Sequence, residues 1–258
     1  MDDRKSPRIR AVPAVTRATA ILRLLAKSET PLPLKAIAEQ LDLVPSTALH
    51  ILRALLAEQL LRFDPQTRRY TLGIGLLPLA RAALEHSSFP DLVRPKLDTL
   101  SRNYPVTAIA TEVPDLRQMI VVAMASAAGP VRLHVDIGSR FPALIHAVGR
   151  CVAAFSDRPW AEIEQRFRRL QWDNGPSYET WKKEVEATRQ DGFNIDDRNY
   201  FEGMTLVAAP VLNARGHITH ALAAVGITSR LPIAQALALA RDMRTASQQL
   251  TAELASGS

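Results

Sequence analysis

The sequence predicts an α+β chain in two parts: a small helical unit closed by a short hairpin, and a larger unit built on an antiparallel sheet with helices. Three observations lead there. Between Ala14 and Ala57 apolar residues recur at the three- and four-residue spacing of amphipathic helices. Two short runs with strand character, Leu60–Phe63 and Arg69–Leu72, flank the turn stretch Asp64-Pro65-Gln66-Thr67-Arg68. Beyond residue 88 strand pairs around turn residues alternate with further amphipathic helices.

Residues 1–13 read as a flexible basic arm in which Arg4, Lys5, Arg8 and Arg10 outnumber Asp2 and Asp3. Ala18, Ile21, Leu22 and Leu25 mark a helix from about Ala14 to Lys27, ended by Ser28-Glu29-Thr30-Pro31. Leu34, Ile37, Ala38 and Leu41 give the next helix one buried stripe. Asp42 tolerates a left-handed turn, and Pro45 with Ser46 starts a third helix, Ser46 serving as N-cap. In that helix Leu49, Leu52, Leu55 and Leu56 face inward and Thr47, His50 and Arg53 outward. Two angled helices with a polar outer face on the second, followed by a hairpin, spell a winged helix-turn-helix over residues 14–73.

Gly73 and Gly75 break the hairpin, and Leu76–Glu85 is a linker helix within residues 74–88, too rich in Leu and Ala to stay wet, so part of its surface suits a partner subunit. Residues 89–258 form the second domain. Val93, Leu97 and Leu100 mark a helix ending at Tyr104-Pro105, and Thr107–Val113, Gln118–Ala125 and Val131–Ile137 are strands. Arg140–Gly149 is irregular and Gly149–Phe155 opens a helix. Trp160, Ile163, Phe167 and Leu170 mark another, and Ser177 caps a helix carrying Trp181 and Val185 that stops at Gly192. Thr205–Val211 and His217–Val225 make a hairpin around Asn213-Ala214-Arg215-Gly216, and an amphipathic helix runs from Ile233 to about Glu253. The expected result is an antiparallel sheet with helices to one side.

Charge is distributed unevenly. Residues 1–75 hold 12 Lys/Arg against 7 Asp/Glu, whereas residues 76–258 hold 20 against 19. A basic segment beside a near-neutral one assigns the first to a polyanion and the second to something else. The single cysteine, Cys151, excludes an intrachain disulfide. The N-terminus has no apolar core of a signal peptide, and no apolar run approaches the ~20 residues of a membrane helix, so cytoplasm is the expected location, with no membrane partner.

Catalysis finds little footing. No G-x-S-x-G, G-x-G-x-x-G or P-loop is present, and Cys151 lacks a partner motif. His217 and His220, three apart on a strand, point to opposite faces and cannot share a metal, and adjacent Asp196 and Asp197 fail as an acid/base pair for the same reason. No catalytic residue, metal or cofactor is expected. The competing readings are an enzyme acting on a small carboxylic acid and a winged-helix module without a ligand.

The residues also carry a resemblance. VTRATAILRLLA at 15–26, LKAIAEQLDLVPSTALHILRAL at 34–55, RRYTLGIGLL at 68–77, GSRFPALIHAVGRCVAAF at 138–155 and IDDRNYFEGMTLVAAPV at 195–211, in this order and spacing, resemble the IclR family of bacterial transcription regulators over residues 12–254. The resemblance implies a winged-helix homodimer or homotetramer on a pseudo-palindromic operator, and a C-terminal domain that holds a small organic-acid effector. The chain departs from the family pattern at His50, where arginine is more common, and at Asp42 and Gln59, where glycine is.

For DNA, Thr47, His50 and Arg53 are the base-reading candidates; Ser46 and Thr47 open the recognition helix and, with Arg17, Arg62, Arg68 and Arg69, suit phosphates. For the effector, His146-Ala147-Val148-Gly149 leads into a helix whose free first-turn amides can hold a carboxylate. The resemblance implies the same segment, together with Arg140 from its matching stretch and Asp197. Where family members for very small hydrophilic acids show cysteine or serine, this chain has Leu206, Ala223 and Val225, which predicts a less polar, aromatic or longer-chain acid.

Overall fold

The computed structural model describes residues 12–85, 88–126, 135–172, 175–197 and 203–256. Contacts divide the chain into two compact units, residues 1–87 and residues 88–258. The first unit contains α1 (Pro13–Lys27), β1 (Leu32–Pro33), α2 (Leu34–Gln40), α3 (Pro45–Ala57), β2 (Leu61–Asp64), β3 (Arg69–Leu72) and α4 (Leu76–Glu85). Ile21 and Leu25 of α1, Ile37 of α2, Leu52 and Leu55 of α3, and Leu61 and Tyr70 of the hairpin share one core. The arm lies outside the described residues except for Val12 and Pro13.

Strand β1 was not legible. Leu32 pairs with Tyr70 and Pro33 with Arg69, so the wing is a three-stranded sheet in the order β1-β3-β2. Two residues, one of them proline, show no alternation, and only the distant β3 makes them a strand. Ser46 is not the N-cap: Val44 holds that position, Pro45 is the first helical residue and no side chain caps the helix. Proline's fixed φ and missing N–H suit the first helical position, which makes Ser46 the second residue of the helix. The inward face turns with it, burying Ala48, Leu52 and Leu55 while Leu49, Leu56 and Thr47 are half-buried.

Asp42 takes the left-handed conformation expected of it, with φ 48°, and Gln59 follows at 57°. The glycines after the hairpin serve a closer purpose than ending it. A Cβ on Gly73 would stand 2.2 Å from the carbonyl oxygen of Gln59, so only glycine lets β3 leave past the end of α3.

The second unit contains α5 (Phe89–Asn103), β4 (Val106–Glu112), β5 (Gln118–Ser126), β6 (Arg140–Pro142), α6 (His146–Ala154), α7 (Trp160–Phe167), α8 (Tyr178–Asp191), β7 (Asn194–Asp197), β8 (Met204–Leu212), β9 (Ile218–Ile227) and α9 (Ile233–Ser256). Its strands form one antiparallel sheet in the order β6-β5-β4-β9-β8-β7. Helices cover both faces, not one. Val207, Ala209, Leu222 and Ala224 join Val93 and Leu97 of α5 and Met243 and Leu250 of α9 in one core. Their alternate neighbours Leu206, Ala208 and Ala223 join α6, α7 and α8 in the other. The central strands β4 and β8 are buried almost without interruption, so both of their faces are apolar, and that is why the sheet needs two helical layers.

Other boundaries move. Residues 131–134 of the expected strand lie outside the described residues, and Val135–Ile137 is not a strand. Arg140–Pro142 is an edge strand and α6 begins at His146, three residues before Gly149. Leu170 falls beyond α7, which ends at Phe167. His217 precedes β9 and lies in the turn. Ser177 does cap α8, accepting from the Thr180 amide, and Gly192 ends that helix at φ 73°.

Candidate nucleic-acid interface and ligand site

On α3, Ser46, His50 and Arg53 are exposed and share one face at i, i+4 and i+7. Among the described residues no hydrogen bond or ion pair engages the side chains of His50, Arg53, Arg17, Arg62 or Arg68, so these side-chain donors stand on the surface of a basic unit. The wing is held by Asp64, whose carboxylate accepts from the Gln66 amide at 2.9 Å and the Thr67 hydroxyl at 2.7 Å. Those bonds keep its pKa below the ordinary carboxylate value. Phe63 packs against Tyr70 across the hairpin at 4.8 Å between ring centroids. Arg69 is different from the other wing cations: its Nη1 donates to the Pro31 carbonyl at 2.8 Å, holding β1 to β3.

In the second unit the sheet brings Leu206 opposite Val225, and Ala208 opposite Ala223. Leu206 and Ala223 are buried in the same core as Ala147 and Val148, with Val225 packed on it. Every residue of α6 is buried. Gly149 lies so close to the chain entering the helix that a Cβ would fall 2.1 Å from the carbonyl carbon and oxygen of Leu144. Its amide donates to the Ile145 carbonyl at 2.8 Å. Six of the sequence-predicted ligand residues outside the His146 side chain, namely Ala147, Val148, Gly149, Leu206, Ala223 and Val225, therefore belong to one side of the sheet. Arg140 is not brought into this core: it is exposed on β6 and donates to Gln118 Oε1 at 3.2 Å. The Asp197 backbone pairs with Thr205; its side chain lies outside what is described.

Sequence reasoning missed the charged group beneath the start of α6. Arg150 is 1% exposed; its Nε and Nη2 donate to Glu184 Oε2 of α8 at 2.9 and 2.7 Å, and its Nη1 to Asp196 Oδ2 of β7 at 3.1 Å. The same Nη1 donates to the His146 carbonyl at 2.9 Å. Asp196 is itself 1% exposed. A signal existed, because Arg150 is the one charged residue in the otherwise apolar stretch 141–155, and a cation in such a run must be paired when the run is buried.

Comparison with known proteins joins the two units. Residues 14–65 match the IclR helix-turn-helix domain and residues 81–252 match the C-terminal domain of bacterial transcriptional regulator IclR. The chain belongs to the IclR family of bacterial transcriptional regulators. It is 30% identical over 222 residues to the glycerol operon regulatory protein of Streptomyces griseus, covering 85% of each chain. It is 25% identical over 228 residues to the HTH-type transcriptional repressor AllR of Escherichia coli K12, covering 84% of this chain and 81% of AllR. In fold it is similar to an IclR transcriptional regulator from Alicyclobacillus acidocaldarius, with a TM-score of 0.82 and 24% identity over 95% of this chain and all of that one. Like other IclR regulators it is a DNA-binding protein, and among the described residues no helix is long and apolar enough to cross a membrane.

Two histidines of the IclR C-terminal domain are held neutral. Burial, aided by the Arg150 charge, lowers the His146 pKa to about 4. Burial alone lowers that of His220 to about 4, where its ring stacks on Phe89 at 3.8 Å between centroids. In the unfolded chain both take up a proton near the ordinary value of 6.5, so stability present above that pH is lost as pH falls from about 6.5 towards 4. Each contributes up to about 3 kcal/mol to that loss. All three tryptophans lie in this domain, so urea unfolding followed by their fluorescence should show a midpoint that drops between pH 7 and pH 5 (about two pH units). His220→Phe should flatten the slope; an unchanged slope would remove His220 from the account.

Proposed function

We propose that the chain is a ligand-responsive transcription regulator which binds a pseudo-palindromic operator as a homodimer or homotetramer, and that its C-terminal domain senses a monocarboxylic acid with an aromatic or extended apolar body. The observation that carries the ligand reading is the union of a buried helix start with Leu206, Ala223 and Val225 in one core. First-turn amides supply donors for a carboxylate without a charged side chain, and the apolar strand residues suit the remainder of the molecule. The names of the relatives support the regulator reading alone, since AllR is a repressor and the Streptomyces protein regulates an operon. The dimer reading draws support from the linker, where Leu77 and Leu79 of α4 are 63% and 61% exposed.

The test begins with footprinting on the DNA upstream of the protein's own gene. A protected, salt-sensitive site with twofold character is expected, its half-sites about 34 Å or a multiple apart. Thermal-shift screening of carboxylic acids follows, because a ligand selective for the native state raises Tm. Benzoate- and octanoate-like acids should shift the transition. Tight binding of glyoxylate-sized acids alone would overturn the ligand class, indifference to every acid would favour a ligand-independent module, and turnover of the acid would reveal an enzyme.

Base reading has its own test. Arg53→Ala and His50→Ala should each cost about 1–3 kcal/mol on the operator and relax the preferred sequence. Arg17→Ala and Arg62→Ala should instead weaken binding alike on operator and random DNA and lower the salt slope by about one. Equal losses on both DNAs for Arg53→Ala would take it out of the groove.

A further inference from the structure

His146 opens α6 with φ 58°, a left-handed conformation that a residue with a bulky side chain rarely takes. Such strain persists only where surrounding contacts over-determine it, and it gathers at ligand clamps. Here the contact is visible. Arg150, one turn along the helix, donates from Nη1 to the His146 carbonyl at 2.9 Å and to Asp196 Oδ2 at 3.1 Å, while Nε and Nη2 hold Glu184 Oε2 at 2.9 and 2.7 Å. The Trp172 ring lies 5.8 Å from the guanidinium carbon.

We propose that Arg150 is a positioning residue: its guanidinium clamps the carbonyl of left-handed His146 against β7 and α8, and so sets the direction of the Ala147 and Val148 amides in the first turn of α6. The proposal rests on the reading of that helix start as the ligand site, and Arg150 itself does not touch the ligand. Its planar fork is committed to two carboxylates and one carbonyl on three elements. A lysine ammonium, a point charge, cannot satisfy the same three directions at once. The first-turn amides of α6 have no acceptor within the helix, so their protection from water depends on how firmly that turn is held. The clamp also makes α6, α8 and β7 move together, so that a ligand at the helix start acts on both neighbours.

The experiment uses the full chain, Arg150→Lys, and the double variant Arg150→Met with Asp196→Leu, which removes both buried charges together so that folding survives. Amide hydrogen exchange at Ala147 and Val148 should quicken about tenfold or more in Arg150→Lys, while amides in β4 and β9 keep their rates. Calorimetry with benzoate and with octanoate should show affinity falling about tenfold or more in the double variant, with Arg150→Lys between it and the parent. Unchanged exchange at the α6 start in Arg150→Lys would overturn the clamp, as would undiminished acid binding by the double variant. If the parent chain binds neither acid yet the helix start loosens in Arg150→Lys, the clamp stands and the ligand reading falls.

Discussion

Gly149→Ala is expected to destabilise the C-terminal unit by about 3 kcal/mol or more and to abolish its response to acids. The added Cβ would sit 2.1 Å from the carbonyl carbon and oxygen of Leu144 and 2.7 Å from its Cα. These are backbone atoms, so no rotamer change relieves the clash; the helix must retreat from the turn that starts it. Urea unfolding read by tryptophan fluorescence measures the loss, since Trp160, Trp172 and Trp181 all report on this unit. Gly138→Ala is the control. A Cβ there meets nothing within 4 Å, but φ is 90°, so the substitution should cost only about 1–2 kcal/mol from backbone conformation. A Gly149→Ala loss no larger than that of the control would show that α6 can move, and the account of a rigid helix start would be wrong.

Arg150→Ala is the second large effect, with an expected loss of about 3–5 kcal/mol. It strips the guanidinium from Asp196, whose side chain is 1% exposed, and from Glu184, whose side chain is 33% exposed. The double variant Arg150→Met with Asp196→Leu should lose much less than the sum of its single changes, because a buried pair replaced by apolar groups no longer carries its desolvation. Arg168 and Glu164 of the α7 region form the contrast. Their side chains are 64% and 36% exposed, and Glu164→Gln should change stability by less than about 0.5 kcal/mol. A cycle in which the Arg150 and Asp196 losses simply add would mean that the two charges do not depend on each other.

How far the sequence could be read follows from the range of each interaction. The helix-turn-helix was legible because its signals are local: the stripe of Ile37 and Ala38, the turn at Asp42, and polar residues three and four apart on the next helix. The bounds of α4 were legible for the same reason. Within the second unit Ser177 and Gly192 marked the two ends of α8, and the β8–β9 hairpin was visible in its turn residues. The start of α3 was misread by two residues, since Pro45 with its fixed φ takes the first helical position and leaves the cap to Val44.

The sequence by itself determined that this is a basic winged helix-turn-helix joined to a near-neutral α+β domain, because capping, periodicity and charge are properties of neighbouring residues. Tertiary structure alone decided that β1 completes the wing, that helices cover both faces of the sheet, that Arg69 serves Pro31, and that Arg150 meets Glu184 and Asp196 from 34 and 46 residues away. Those pairings form because buried strands and charges must find partners wherever the fold brings them, and spacing along the chain does not encode who the partner will be.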